Sequence, residues 1–255
     1  MVELKSAAEL DAMRESGRVV AQTLQAVKEA SAIGVSLKEL DEIAAQVIRD
    51  AGAKPSFLHY QPHSAPTPFP AVICASVNDA VVHGIPSDYR LRDGDLVSID
   101  SGAYIDGWHG DSAISYVVGK ADPADLELIA ATERALAAGI AAAIPGNKMG
   151  DISHAVGTVG REAGYGLLDG HGGHGIGRAM HEDPHLPNEG RPGRGMRLKP
   201  GLVLAIEPML IADGVDDYRI AEDGWTLQSM SGCRAAHVEH TVAITTEGPR
   251  VLTML

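Results

Sequence analysis

The sequence predicts an α+β protein in which two pseudo-symmetric helix–helix–strand halves surround a central antiparallel sheet. Three observations lead there. A glycine-bounded helical segment occurs twice, two β-runs follow each copy in the same order, and a turn dipeptide between two of those runs marks a hairpin.

Segment 34–52, GVSLKELDEIAAQVIRDAG, lies on segment 146–164, GNKMGDISHAVGTVGREAG, without a gap. Leu37 matches Met149, Leu40 matches Ile152, Val47 matches Val159 and Arg49 matches Arg161. Each copy ends on a glycine suited to a helix terminus. A further helical stretch precedes each copy, at 7–30 and at 125–143. The strands repeat as well: 91–100 (LRDGDLVSID) aligns with 198–207 (LKPGLVLAIE), and 109–118 (HGDSAISYVV) with 237–246 (HVEHTVAITT). Asp100 thereby corresponds to Glu207, and Asp111 to Glu239. Asp106-Gly107 closes the first strand pair as a hairpin, which is expected to set Asp100 and Asp111 close to directly opposed. In the second half, the alternation of His237, Glu239 and Thr241 aims Glu239 at one face. The stretch from Glu207 to Glu239 is much longer than its counterpart, and this insertion is expected to wall a pocket. The chain reads as one domain, 1–255, with halves of approximately 1–120 and 121–255.

Composition bounds the function. With 45% hydrophobic content, 255 residues can bury a sizeable core. A net charge of −13 repels phosphate backbones and anionic lipid, so neither DNA nor a membrane is an expected partner. Acidic and basic residues begin at Glu3, which excludes a signal or transit pattern, and no segment reaches the length of a membrane span. Two cysteines, Cys74 and Cys233, make no disulfide framework and suit a reducing cytoplasm.

The stretch GHGGHGIGRAMHEDPHLPN, 170–188, contains the spacing H-E-x-x-H from His181 to His185. That motif holds zinc only on a helix, where residues four apart share a face. Pro184 lies inside the would-be turn and the preceding run is glycine-rich, so no helix is expected.

The four repeated acids point to metal instead. Two carboxylates about 4 Å apart repel by about 4 kcal/mol at an effective dielectric of about 20, and four together multiply that cost. A pair of dications neutralises them and gives the arrangement a chemical purpose. A shell of carboxylates with few nitrogens suits Mn, Fe, Co or Zn, whereas ligands dispersed over strands do not suit calcium. His174, in the tight GHGIG turn, is placed to be the nitrogen ligand. His83 and His181 are candidates for proton transfer or substrate contact, and His171, His185 and His240 for surface or hydrogen-bonding roles.

In their order, VNDAVVHGIP, IDSGAYIDGWHGDS, GHGIGRAMHEDP, LAIEPM and VEHT resemble methionine aminopeptidases of type I over nearly the whole chain. The resemblance implies the pita-bread fold and a hydrolase that takes methionine from the N-termini of nascent polypeptides, as a monomer in transient contact with the ribosome. It implies five ligands for two divalent metals: Asp100, Asp111, His174, Glu207 and Glu239, with Asp111 and Glu239 bridging. It implies that Glu207 also carries a proton to the leaving amine, and that His83 and His181 contact the substrate and the developing tetrahedral intermediate. The methionine slot draws, by the same resemblance, on Tyr60, Phe69, Cys74, Met180 and Trp225. Two departures stand out: the 60–69 segment is longer than the usual link, and Met180 replaces a common aromatic. A second residue near His83 and His181 is expected to be small, a rule that the chain's own Met1-Val2 start satisfies. The rival readings are an Xaa-Pro aminopeptidase or prolidase, which usually carries an additional N-terminal domain, and a non-catalytic binding module, which tends to lose ligands.

Overall fold

The computed structural model describes residues 2–255, so the expectation concerning Met1 lies outside the described residues. The first half opens with helices α1 (Ala7–Ala30) and α2 (Leu37–Asp50). Short strands β1 (Lys54–Pro55), β2 (Ile73–Val77) and β3 (Ala80–Val82) lead to the hairpin of β4 (Leu96–Ile105) and β5 (Trp108–Val117). The second half repeats the helix pair as α3 (Pro123–Ala142) and α4 (Met149–Glu162), then runs through β6 (Gly166–Leu167), β7 (Gly172–Gly175), β8 (Glu182–Pro187) and β9 (Val203–Ile206). Strands β10 (Met209–Ile211), β11 (Tyr218–Ile220), β12 (Leu227–Ser229) and β13 (Ala235–His237) form the insertion, before β14 (Glu239–Thr245) and β15 (Gly248–Val251) complete the chain.

The matched helices start alike for a local reason. Glu39 reaches back to the Ser36 N–H at 2.8 Å, and Asp151 to the Lys148 N–H at 2.7 Å, so each first turn satisfies a backbone donor with its own carboxylate. Each then buries one apolar stripe, Leu37, Leu40 and Ile48 in α2 and Met149, Ile152 and Val156 in α4. Helix α3 begins two residues before the expected 125, because the Asp122 carboxylate caps the Ala124 N–H at 2.8 Å and Pro123 suits the first helical position.

Every strand pair is antiparallel, and the main sheet runs β1-β4-β5-β14-β9-β7-β8, with β2 on β4 and β15 on β14. The halves join at β5 and β14, where Glu239 pairs with Ala113 and His240 with Ser112. Side chains sew this seam: Ser112 Oγ donates to Glu239 O at 2.5 Å and Thr241 Oγ1 to Asp111 O at 2.7 Å. One apolar core under α1 and α2 includes Val20, Leu40, Ile48, Ile73 and Ile99; another under α3 and α4 includes Leu128, Ile152, Leu204, Ile206 and Val242. Helix α1 approaches the hairpin closely at two glycines: a Cβ on Gly110 would lie 2.9 Å from Gly17 N. Among the described residues no helix is long and apolar enough to cross a membrane.

Candidate metal centre and substrate cleft

The hairpin turn pairs Ile105 with Trp108, so the register places Ala113 opposite Asp100 and Gly102 opposite Asp111. The two aspartates are therefore diagonal neighbours rather than directly opposed, a correction to the expected facing pair. An offset of two residues preserves the face, and both side chains line one cleft. Across the seam Glu239 lies beside Ala113, while Glu207 follows the end of β9 and His174 pairs with Ala205 of that strand. The buried Asn188 amide donates to Glu207 O at 2.9 Å and holds its backbone. Asp100, Asp111, His174, Glu207 and Glu239 thus converge on a cavity of about 390 Å³.

The cluster has the chemistry of a cation site. Asp111, His174 and Glu239 bring one possible ligand atom each within 4.8 Å of one another, as do Glu207, His237 and Glu239. Among the described residues, the buried side-chain atoms left without a hydrogen bond are Asp100 Oδ1, Ser101 Oγ, Asp111 Oδ1, His237 Nε2 and Glu239 Oε1, and four of these five belong to the cluster. His174 Nδ1 lies 2.8 Å from Gly175 O, and because a carbonyl only accepts, that nitrogen carries the proton. Its Nε2 then turns toward Asp111 Oδ2 at 3.7 Å and Glu207 Oε1 at 3.6 Å. Two carboxylates around this nitrogen call for positive charge there: against its burial, Asp111 and Glu207 raise the His174 pKa, and a cation between them meets the same demand. Burial, followed by the neighbouring carboxylates, pushes the Asp100 and Glu239 pKa values well above the usual range, and burial raises that of Asp111 against the pull of His174. Burial opposes ionisation of Glu207 too, but His237 and His174 outweigh it and hold its pKa low. The donors present fit divalent cations.

His237 was not picked out as a site residue by sequence. Its Nε2 lies 3.4 Å from Glu207 Oε2 and 3.7 Å from Glu239 Oε2. The signal was available, since the alternation of His237, Glu239 and Thr241 in the sequence assigns His237 to the face of Glu239. The hydrogen-bonding or surface roles expected of the other three are seen: His171 Nδ1 lies 2.8 Å from Asp169 O, His240 Nδ1 lies 2.8 Å from Thr253 Oγ1 and His185 is exposed, though His171 and His185 also line the cleft.

The two remaining histidines flank the cluster. His83 follows β3 with φ 61°, a left-handed conformation uncommon for a residue with a side chain, and its ring meets those of Trp225 and His171 at 6.3 Å. Burial, then His171, lowers its pKa to about 4. The His181 ring stacks on Tyr60 at 5.1 Å and touches the His174 ring at 4.1 Å. It stays open to solvent within the cleft, yet the surrounding protein, then His174, pulls its pKa down to about 3.

Tyr60, Phe69, Cys74, Met180 and Trp225 all line the cavity, joined by Phe57, Pro62 and Met209. Phe69 meets Trp225 edge-on at 5.1 Å. The 60–69 segment is closed at its base by two hydrogen bonds, His59 N–H to Phe69 O and Phe69 N–H to Tyr60 O, both 2.8 Å. Across the cleft, Trp225 Nε1 donates to Thr67 O at 3.1 Å. In the H-E-x-x-H stretch, Glu182–Pro187 is strand β8, and Glu182 binds Lys5 Nζ at 2.6 Å rather than facing a metal.

A sequence profile of metallopeptidase family M24 matches residues 11–246, the class of enzyme that such a cluster serves. Methionine aminopeptidase 1 of Mycobacterium tuberculosis is 54% identical, covering 100% of this chain and 96% of that protein, and methionine aminopeptidase 1 of Bacillus subtilis is 44% identical over 99% of each. The crystal structure of methionine aminopeptidase from Thermotoga maritima superposes with a TM-score of 0.95 at 36% identity, over 100% of both chains. Prolidase from Pyrococcus furiosus shares the fold at a TM-score of 0.80 and 23% identity, with 65% of its length covered. The chain belongs to metallopeptidase family M24, among the type I methionine aminopeptidases, and has their pita-bread fold.

Proposed function

We propose that the cleft removes methionine from nascent polypeptides whose second residue is small, using two divalent cations at the carboxylate cluster. The coarser statement rests on the family: the chain is a metal-dependent aminopeptidase that acts on the N-termini of peptides and takes off methionine. The observation that carries the finer reading is the direct junction of a largely apolar slot with a buried, cation-demanding carboxylate cluster.

Asp100, Asp111, His174, Glu207 and Glu239 would hold the ions, drawn from Co, Mn, Fe or Zn. When bound, such ions polarise a carbonyl and lower the pKa of water. The rest is the work of side chains. Tyr60, Phe69, Cys74, Met180 and Trp225 receive the thioether side chain, for which aromatic and sulfur contacts are favourable. Asp100 draws the free α-amine, which restricts the reaction to a chain end. His83 and His181, neutral imidazoles near pH 7, offer N–H groups to the substrate and to the oxyanion that develops from its first carbonyl. Glu207, whose Oε2 lies 3.4 Å from His237 Nε2, takes a proton and passes it to the leaving amine. The second residue meets His83 and His181, which line the same cavity, so bulk is excluded there. The chain would act as a single catalytic unit, monomeric, in the cytoplasm and in passing contact with the ribosome.

A peptide panel with each divalent metal added in turn tests the proposal. Met-Ala-Ser is expected to be cleaved at least about a hundredfold faster than Met-Lys-Ser or Ala-Pro-Ser. Equal cleavage of the alanine and lysine peptides removes the steric argument, and preference for Ala-Pro-Ser removes the methionine slot.

A further inference from the structure

Glu182, the would-be base of the His181-to-His185 motif, has no part in the reaction above, and its carboxylate is engaged elsewhere. Oε1 accepts from the Arg178 N–H at 2.8 Å and the Ala179 N–H at 3.2 Å, and Oε2 lies 2.6 Å from Lys5 Nζ. The Lys5 side chain is 2% exposed, so this cation is almost wholly withdrawn from water. Its backbone is fixed too, with Lys5 N–H donating to Gly201 O at 2.7 Å. The intervening turn is built around the pair: a Cβ on Gly177 would lie 2.5 Å from Lys5 Cε and 2.9 Å from Glu182 Oε1. Gly177 O in turn accepts from the His109 N–H at 2.8 Å. The residue before Glu182 is His181, whose ring stands in the cleft between Tyr60 and His174.

Stability alone does not explain such a pair. Withdrawing two charges from water costs about as much as their attraction returns, and apolar replacements of similar volume are often neutral or better. A charge-assisted fork that binds two consecutive backbone N–H groups does, however, fix a turn's geometry.

We propose that Lys5 and Glu182 are positioning residues for the aminopeptidase reaction, an ion pair between the N-terminal segment and turn 176–181 that sets where the His181 imidazole stands against the substrate. The proposal rests on the substrate role assigned to His181 above. Sub-ångström placement of a group that acts on the transition state appears in turnover, whereas loss of mere bulk appears in binding or stability.

The test is a double-mutant cycle on the metal-loaded enzyme with Met-Ala-Ser. Lys5→Met, which keeps the buried stem, should lower kcat about tenfold with KM within about twofold and bound metal unchanged. Lys5→Arg should recover most of that loss. In a His181→Ala background, Lys5→Met should cost less than about twofold, because the residue it positions is gone. Unchanged turnover in Lys5→Met, a rise in KM alone, or a full tenfold further loss in the His181→Ala background overturns the proposal. Should Lys5→Met fail to fold, the doubly neutral Lys5→Met/Glu182→Gln takes its place. If His181→Ala retains full turnover, it is the substrate role of His181 that fails. Amide hydrogen exchange then judges the ion pair by itself: exchange at Arg178 and Ala179 accelerating about tenfold or more in Lys5→Met upholds it as the holder of the turn, and unchanged exchange rejects it.

Discussion

His109 and His237 occupy matching places in the two halves, each two residues before a carboxylate that faces the cleft, yet their surroundings differ. His109 follows a two-residue turn inside a regular hairpin, pairs with Tyr104, and puts Nδ1 2.8 Å from Ser56 Oγ. His237 ends β13 in a different small sheet, paired with Met209, and the chain crosses to the main sheet at Val238 before Glu239. That crossing re-aims the imidazole at Glu207 and Glu239. A tight turn and a long insertion thus present their acids to the same cleft, but only the insertion adds a nitrogen to the acidic cluster and an aromatic wall, Trp225, to the slot. Symmetry sets the charge of the centre, and the departure from symmetry makes it selective.

The comparison is most exposed at the matched acids. Asp100→Asn and Glu207→Gln should both fold, and both should lower kcat, but Glu207→Gln by about 10³-fold and roughly tenfold more than its counterpart, since it removes a proton carrier as well as a ligand. Steady-state kinetics beside metal analysis checks this, and equal losses would assign Glu207 to ligation alone. The matched histidines come next. His237→Ala should reduce turnover or metal affinity about 10- to 100-fold, as loss of a partner to a ligand does. His109→Ala should leave turnover within about threefold and lower stability by about 1 kcal/mol through the lost Ser56 hydrogen bond, measured by denaturant unfolding. Equal effects would show that the insertion had changed nothing. The smallest effect is expected of His185→Ala: it breaks only the decoy spacing, so kcat within about twofold and full metal content should follow. Lost metal there would reopen the helix-motif reading.

Much of this centre was legible because the sequence writes the same pattern twice. Leu40 over Ile152 and Asp111 over Glu239 identify a buried helix stripe and a cleft-facing acid with no structure in hand. The offset between Asp100 and Asp111 was within reach, since pairing counted back from Ile105 and Trp108 puts Ala113 opposite Asp100, but a hairpin signal by itself does not state which residues occupy the turn. His237 escaped because alternation assigns a face and not a partner, and its partner Glu207 lies at the far end of the insertion. The Lys5–Glu182 pair was beyond sequence reasoning altogether: the two lie 177 positions apart, and nothing local in either predicts the other.

The two hydrogen bonds that close the base of the 60–69 loop, with the tether from Trp225 to Thr67, bear on how such an enzyme can change. Pro62, Pro66 and Pro68 stiffen a span whose ends are already stitched together, and Pro66 lies against Gly224 on the opposite rim. Its tip, His63 and Ser64, faces solvent. The loop is therefore one tethered jaw of the slot, and it reaches the ligands through Tyr60, which stacks on His181 beside His174. Cys74 and Met180 tie the rest of the slot to the chemistry, the one paired with Asp100 across β2 and β4 and the other next to His181, so a change in the loop alone reshapes one side of the slot and leaves the other with the metal centre.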